Sequence, residues 1–165
     1  MLDNIMNVAE KDKLSGPLLL DRDLCLKFKN RLSEFYYSNI LSCSYMDSFS
    51  YNDAEQKIDS MIEHVSNGSA MVFGVFDDEN LIGYVWAYEH SYRDEVRVYV
   101  NEIHVEEQYR KRGVGRQLLS AVERMARKRG YCALYIHAEG NNGGAIRLYE
   151  NEGYVLERVQ LRKNL

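Results

Sequence analysis

Proline is nearly missing from this chain: Pro17, inside the turn signal Ser15-Gly16-Pro17, is the only one in 165 residues. No proline-rich or low-complexity linker divides the sequence, and no internal repeat recurs. Cysteine is scarce as well. Cys25, Cys43 and Cys132 are odd in number and lack CxxC spacing, which argues against a disulfide framework and a zinc site, so no metal is expected and the thiols are read as buried or half-buried. No apolar run approaches the length of a membrane span, and charges interrupt the opening MLDNIMNVAEKDK before a signal core could form. The expectation is a cytoplasmic protein with no membrane partner. An excess of positive charge is absent too: the net charge of −4 disfavours a general nucleic-acid binder.

What the chain does have is a 45% hydrophobic composition, enough at this length for one core and one domain over residues 1–165. Its charge is uneven. Residues 106–130 hold eight Lys/Arg against three Glu, a local +5, which leaves −9 for the remainder. Arg124, Arg127, Lys128 and Arg129 are read as the solvated end of a helix, where cations complement the dipole.

In chain order, Ile5 to Ala9 could form an edge strand. Leu24, Phe28, Leu32, Phe35, Tyr36 and Ile40 recur at helical spacing, predicting a helix from about Asp23 to Leu41 with Asp21 or Asp23 as N-cap. Ser42 to Ser50 reads as a loop, and a second helix runs from Asn52 to Ser66 with Gly68 beyond it. Ala70–Asp77 and Leu81–His90 predict a hairpin across Asp78-Glu79-Asn80. A third strand follows over Val96–Val105, then a turn, a helix ending at Gly130, a strand over Cys132–Ala138, a short helix over Asn142–Asn151 and a last strand over Tyr154–Arg162.

The stretch Tyr99 to Gly130 carries the first chemical signal. Between the strand and the helix marked by Val114, Leu118, Val122, Met125 and Ala126 lies Arg110-Lys111-Arg112-Gly113-Val114-Gly115. Two glycines at a helix start let unpaired N–H groups approach an anion, and the helix dipole adds to the attraction, so the turn suits phosphate. A dinucleotide fingerprint would need a third glycine where Leu118 stands, and a P-loop would need Gly-Lys-Ser/Thr; neither is present.

The second signal is Asn142-x-x-Ala145-x-x-x-Tyr149-x-x-x-Gly153-Tyr154, with Ala145 and Tyr149 on one helical face. R-x-x-G-x-G followed by a helix, a strand and N-x-x-A-x-x-L-Y-x-x-x-G-[FY] resembles the GCN5-related N-acetyltransferase (GNAT) superfamily over about residues 96–157. The resemblance implies an α+β fold with a mixed, mostly antiparallel sheet, splayed at an acetyl-CoA site and flanked by about four helices. It implies that backbone groups of Ile103, His104 and Val105 pair with the pantetheine arm. The N–H groups around Arg110, Lys111, Arg112, Gly113, Val114, Gly115 and Arg116 would hold the pyrophosphate. Asn142 matches a cofactor-contacting position, Ala145 and Tyr149 are expected to line the cofactor site with it, and Tyr149 matches the position that protonates the departing thiolate. The implied reaction is direct transfer from acetyl-CoA to a primary amine in a ternary complex.

An amine of pKa about 10.4 must lose a proton before it attacks. Glu102 is the best-placed base, acting directly or through water, with His104 and His90 as alternates. The oxyanion is expected near the Val105 N–H. Tyr45, Asp47, Tyr88, Glu89 and His90 are candidate acceptor contacts, since aromatic faces and carboxylates suit a small cationic amine or a peptide amine. The other open function is a CoA-binding sensor or partner module without turnover. The oligomeric state stays open, a homodimer included.

Overall fold

The computed structural model describes residues 14–42, 48–92, 95–161 and 163. The expected edge strand at Ile5–Ala9 lies outside them, as do Cys43 and most of the loop after the first helical region. The elements are β1 (Leu18–Leu19), α1 (Arg22–Lys27), α2 (Lys29–Leu41), α3 (Tyr51–Ser66), β2 (Ala70–Asp77) and β3 (Asn80–Tyr92). They continue with β4 (Glu95–Val105), a 3-10 turn (Glu107–Tyr109), α4 (Val114–Lys128), β5 (Leu134–Ile136) and α5 (Gly143–Asn151).

The strands form one sheet in the order β1-β2-β3-β4-β5, antiparallel except for β4 with β5. Alternate side chains point to opposite faces. One face buries Val72, Leu81, Tyr84 and Trp86 against α1, α2 and α3; the other buries Met71, Phe73, Val75, Val85 and Val98 against α4 and α5. A β-bulge at Asn101 separates the Val100–Ala87 pair from the Glu102–Trp86 pair. It keeps Glu102 on the α2 face, although Tyr99, three residues earlier, lies there too. Pairing of β4 with β5 ends at Val100–Ile136. Beyond it, residues 101–105 run on with no strand on that edge among the described residues, which is the opening a splayed sheet requires.

The helix predicted over residues 23–41 is two helices. Phe28 leaves the helical region at φ −100°, ψ 14°, and packs its ring 5.2 Å from Phe76. The apolar period runs through this break because both helices turn the same stripe to the core, so spacing alone could not reveal it. Asp21 is the N-cap, its Oδ1 accepting the Leu24 N–H at 2.9 Å. Ser50 and Asp53 form a reciprocal capping box at the start of α3.

Near the C-terminus the predicted strands shrink. Of residues 132–138 only Leu134–Ile136 is a strand, and Cys132 is exposed, not buried as expected. Cys25 is buried, its thiol pushed up to about 12 by burial and by Asp21. Residues 154–161 form no strand: Val155 is 86% and Leu161 90% exposed. A period of two says which side chains would share a face; it supplies no partner edge, and a strand needs one to satisfy its backbone. Among the described residues no helix is long and apolar enough to cross a membrane.

Candidate active site

The end of β4 is tied to α2 by one side chain that the sequence reading passed over. Asn39 reaches from the last turns of α2 and donates through Nδ2 to a Glu102 carboxylate oxygen and to the Ile103 carbonyl, the latter at 3.1 Å. Two acceptors on the nitrogen fix the amide, so Oδ1 must accept, and it lies 2.7 Å from His104 Nδ1. His104 is therefore the Nδ1–H tautomer, stacked at 4.4 Å on the Phe35 ring. Burial, with Arg110 and Arg31 nearby, pushes its pKa down to about 4. At neutral pH it is uncharged and a weak base.

Glu102 behaves in the opposite sense. Burial raises its carboxyl to about 7, even though hydrogen bonds from Asn39 and the Ile103 N–H pull it down. Desolvation penalises the charged form, and no cation stands close enough to offset it. The carboxyl therefore titrates in the range that general acid–base work uses. Of the three expected bases, His104 is spent on Asn39, His90 is exposed, and Glu102 alone combines partial burial with a matched pKa.

After β4 the chain turns through residues 106–113. Arg110 folds back so that its Nε donates to the Val105 carbonyl at 2.9 Å. Lys111 and Gly113 both adopt left-handed backbone, φ 61° and 82°, and Gly113 opens α4 with no side-chain cap. The first N–H groups of α4 face outward from a sharp turn. The two glycines serve different ends. Around Gly113 there is open space and only the positive φ demands glycine, whereas a Cβ on Gly115 would lie 3.2 Å from Leu148 of α5. The second glycine allows α4 to pack closely on α5. Arg116 pairs with Glu152 at 2.6 Å and Arg112 lies over the Tyr109 ring at 5.3 Å.

In α5, Asn142 is the N-cap: its Oδ1 accepts the Ala145 N–H at 3.1 Å. Tyr149 is buried, 5.8 Å ring to ring from Tyr154. Burial raises its phenol well above the ordinary range, with Glu102 and Tyr154 adding to the shift. The phenol stays protonated, and Glu102 is near enough to be felt.

The expected acceptor contacts are divided. Tyr88 and His90 lie on the α2 face, 6.2 Å apart. Glu89 points to the other face and binds Arg129 at 3.2 Å, so it cannot meet an acceptor beside Glu102. The same contact corrects the reading of Arg129, which also donates to the Gly68 carbonyl at 3.0 Å and is no mere solvated end. Tyr45 and Asp47 lie outside the described residues.

A basic turn opening an uncapped helix, beside a parted β4 and β5, defines an acyltransferase scaffold. The model of the acetyltransferase (GNAT) family matches residues 34–154, and the chain belongs to that family. It is an acetyl-CoA-dependent acetyltransferase. An uncharacterized N-acetyltransferase, YdgE, of Bacillus subtilis (strain 168) is 24% identical over 136 residues, 81% of this chain and 87% of that protein. A spermidine N(1)-acetyltransferase of Thermoplasma acidophilum is 24% identical over 130 residues, 73% of this chain and 74% of the relative. Among solved structures, AAC(6')-Iy in complex with the bisubstrate analog CoA-S-monomethyl-acetylneamine matches with a TM-score of 0.69 and 16% identity. That match covers 93% of this chain and 99% of the other.

Proposed function

We propose that this protein transfers the acetyl group of acetyl-CoA to a primary amine by direct attack in a ternary complex, with Glu102 as base and Tyr149 as acid. The observation that carries this reading is a half-buried carboxyl raised to about 7 together with a buried phenol held protonated, two groups with opposite duties. When bound, acetyl-CoA supplies the activated acetyl thioester. The donor fits the residues present: the left-handed turn at Lys111 and Gly113, the uncapped start of α4 through Val114, Gly115 and Arg116, and the surrounding Arg110, Lys111 and Arg112 suit its phosphates. The edge of β4 at Ile103, His104 and Val105 has no strand beside it among the described residues; with the Ile103 and Val105 carbonyls held by Asn39 and Arg110, its remaining backbone groups suit the amide-bearing arm.

An incoming ammonium gives one proton to Glu102, and the freed nitrogen lone pair attacks the acetyl carbon. As the carbon–sulfur bond breaks, the Tyr149 hydroxyl gives its proton to sulfur; the second nitrogen proton passes through solvent to restore the Tyr149 phenol as the amide forms, and Glu102 releases the first proton to water. Asn142 and Ala145 hold the first turn of the helix that carries Tyr149. The acceptor is a small-molecule or peptide amine, and Tyr88 and His90 are the contacts retained for it.

Thiol release from acetyl-CoA, followed across a panel of primary amines from pH 5.5 to 9, tests the reading. The expected result is turnover whose kcat rises through about pH 7 as Glu102 loses its proton. Tight acetyl-CoA binding with no transfer to any primary amine would instead establish a CoA-binding module.

A further inference from the structure

Beside Glu102 the interior holds two polar atoms that the proposed chemistry leaves unused. Trp86 is the cross-strand partner of Glu102, and Tyr84, opposite His104, lies two residues back on the same face of β3. Trp86 is 5% exposed and Tyr84 0%. The Tyr84 hydroxyl and Trp86 Nε1 find no hydrogen-bond partner among the described residues. Packing does not call for either atom: Tyr84 stacks on Phe35 at 6.0 Å and Trp86 tilts against Tyr36 at 6.4 Å, contacts that a plain phenyl ring makes as well.

A buried hydroxyl or indole N–H without a partner works against folding, and such atoms are as a rule paired with protein groups or with ordered water. These two, beside a carboxyl, form the set of partners that a single interior water uses: its oxygen accepts from the Tyr84 hydroxyl and the Trp86 Nε1–H, and one of its hydrogens is given to Glu102. Glu102 is half-buried, which leaves it within reach of solvent. The nearness of the carboxyl is felt at the Tyr84 phenol, which burial, then Glu102, then Tyr36 push well above the ordinary range. The other titratable groups on this site do not supply a charge to Glu102. His104 on β4 is neutral, with Arg110 and Arg31 as the cations felt there; Tyr149 on α5 is a protonated phenol, and α2 contributes the Tyr36 phenol. A hydrogen bond given to the charged form lowers a carboxyl's pKa and so opposes the desolvation that raises this one.

Resting on the transferase reading above, we propose that the Tyr84 hydroxyl and Trp86 Nε1 bind one interior water against Glu102, and that Tyr84 is thereby a positioning residue that favours the ionised form of this base.

The test is Tyr84→Phe in the full chain, read in two ways: kcat from pH 5.5 to 9 with acetyl-CoA and the fastest primary amine of the panel above, and urea unfolding over the same range, which needs no turnover. The ring and its stacking on Phe35 stay. With the donor gone, the kcat rise should move from about pH 7 to about pH 8, so that kcat falls about fivefold at pH 7 and less than about twofold at pH 9, with KM for acetyl-CoA unchanged. The folded chain keeps the Glu102 proton to a higher pH than the unfolded one, so stability declines with rising pH up to the folded midpoint. That decline should end near about pH 7 in the wild type and near about pH 8 in the variant. Trp86→Phe, which removes the other donor, should move both midpoints the same way and decides the matter if Tyr84→Phe does not fold. Added to Glu102→Gln, Tyr84→Phe should leave the pH dependence of unfolding unchanged. Midpoints that stay at about 7 overturn this inference alone, since a hydroxyl that only fills the core moves neither. A midpoint that moves in unfolding but not in kcat overturns Glu102 as the base, and with it the catalytic meaning of Tyr84. No transfer by the wild type to any primary amine, despite acetyl-CoA binding, overturns the transferase reading, and unfolding still decides whether Tyr84 and Trp86 act on the carboxyl.

Discussion

Toward α4 and α5 the sheet presents Met71, Phe73, Val75, Ile82, Val85 and Val98; toward α2 the neighbouring positions of the same strands are Tyr84, Trp86, Glu102 and His104. The first face is apolar throughout and buries Leu118, Leu119 and Val122 from α4. Its work is to remove hydrocarbon from water, at about 25 cal/mol for each Å². The second face holds desolvated polar groups: Glu102 and His104 bridged by Asn39, and the buried Tyr84 hydroxyl and Trp86 Nε1, which find no hydrogen-bond partner among the described residues. Unpartnered buried donors cost about 1–3 kcal/mol each, so this face is poorly optimised for stability. The comparison teaches where chemistry can be placed. The apolar face supplies most of the stability, and its α5 cover brings in Tyr149, while the other face keeps a carboxyl largely out of water.

Glu102→Gln should break the comparison most sharply. Loss of a general base lowers kcat by about 10²–10⁴, and the rise through pH 7 should vanish with it. Stability should move the other way, and the sign follows from linkage. The folded carboxyl holds its proton up to about 7 while the unfolded one releases it near 4.5, so native stability falls as pH climbs across that window and stays reduced above it. The amide cannot ionise, so the variant should be more stable at pH 8, by up to about 3 kcal/mol, and no different at pH 4. Urea unfolding at the two pH values measures this. An active variant, or equal stability at pH 8, would remove the catalytic role assigned to this face.

Tyr149→Phe comes next, with an expected loss of about 10² in kcat and little change in acetyl-CoA affinity, because the ring and its packing on Tyr154 remain. Acceptors that drive a faster attack step would sharpen the loss if sulfur departure is limiting. Leu118→Ala probes the dry face. Leu118 is fully buried, and truncation should cost about 3 kcal/mol in unfolding free energy while kcat per folded molecule holds. A selective loss of kcat without loss of stability would mean that the two faces are less separate than their composition suggests.

Much of the scaffold could be read from residue patterns because its signals are local. The strand, turn and helix from Tyr99 to Gly130, the β2–β3 hairpin and the α3 boundaries rest on periodicity and caps within a few residues. What was missed is non-local. The Asn39 bridge joins residues 63 to 65 positions apart, and only folding brings them together. A hint was available: Leu32, Phe35 and Tyr36 lie on one stripe of α2, and Asn39 continues that stripe as its polar interruption, which is where a buried polar group has to find partners. Strand parity could likewise have separated Glu89 from Tyr88 and His90. The break at Phe28 and the missing C-terminal strand left no such trace, since both depend on what lies alongside.

Asn39 therefore makes the finest test of how the polar face is held. In Asn39→Leu the side-chain volume is nearly kept, but Glu102 loses a hydrogen bond that lowers its pKa and His104 loses the acceptor that fixes its tautomer. The kcat–pH rise should move above pH 7, and kcat at pH 7 should fall by roughly tenfold as the ionised fraction drops. Asn39→Asp should move it further: its carboxylate can still accept from His104 Nδ1–H, but it cannot donate to Glu102 and sets a second negative charge beside it. Both variants should lose some stability, since each leaves a buried group without its partner. The pH profile distinguishes the roles, because a residue that only holds α2 against β4 would lower stability and leave the midpoint of the kcat rise where it was. If both variants keep that midpoint at about 7, Glu102 owes its pKa to burial alone and Asn39 is a structural bridge.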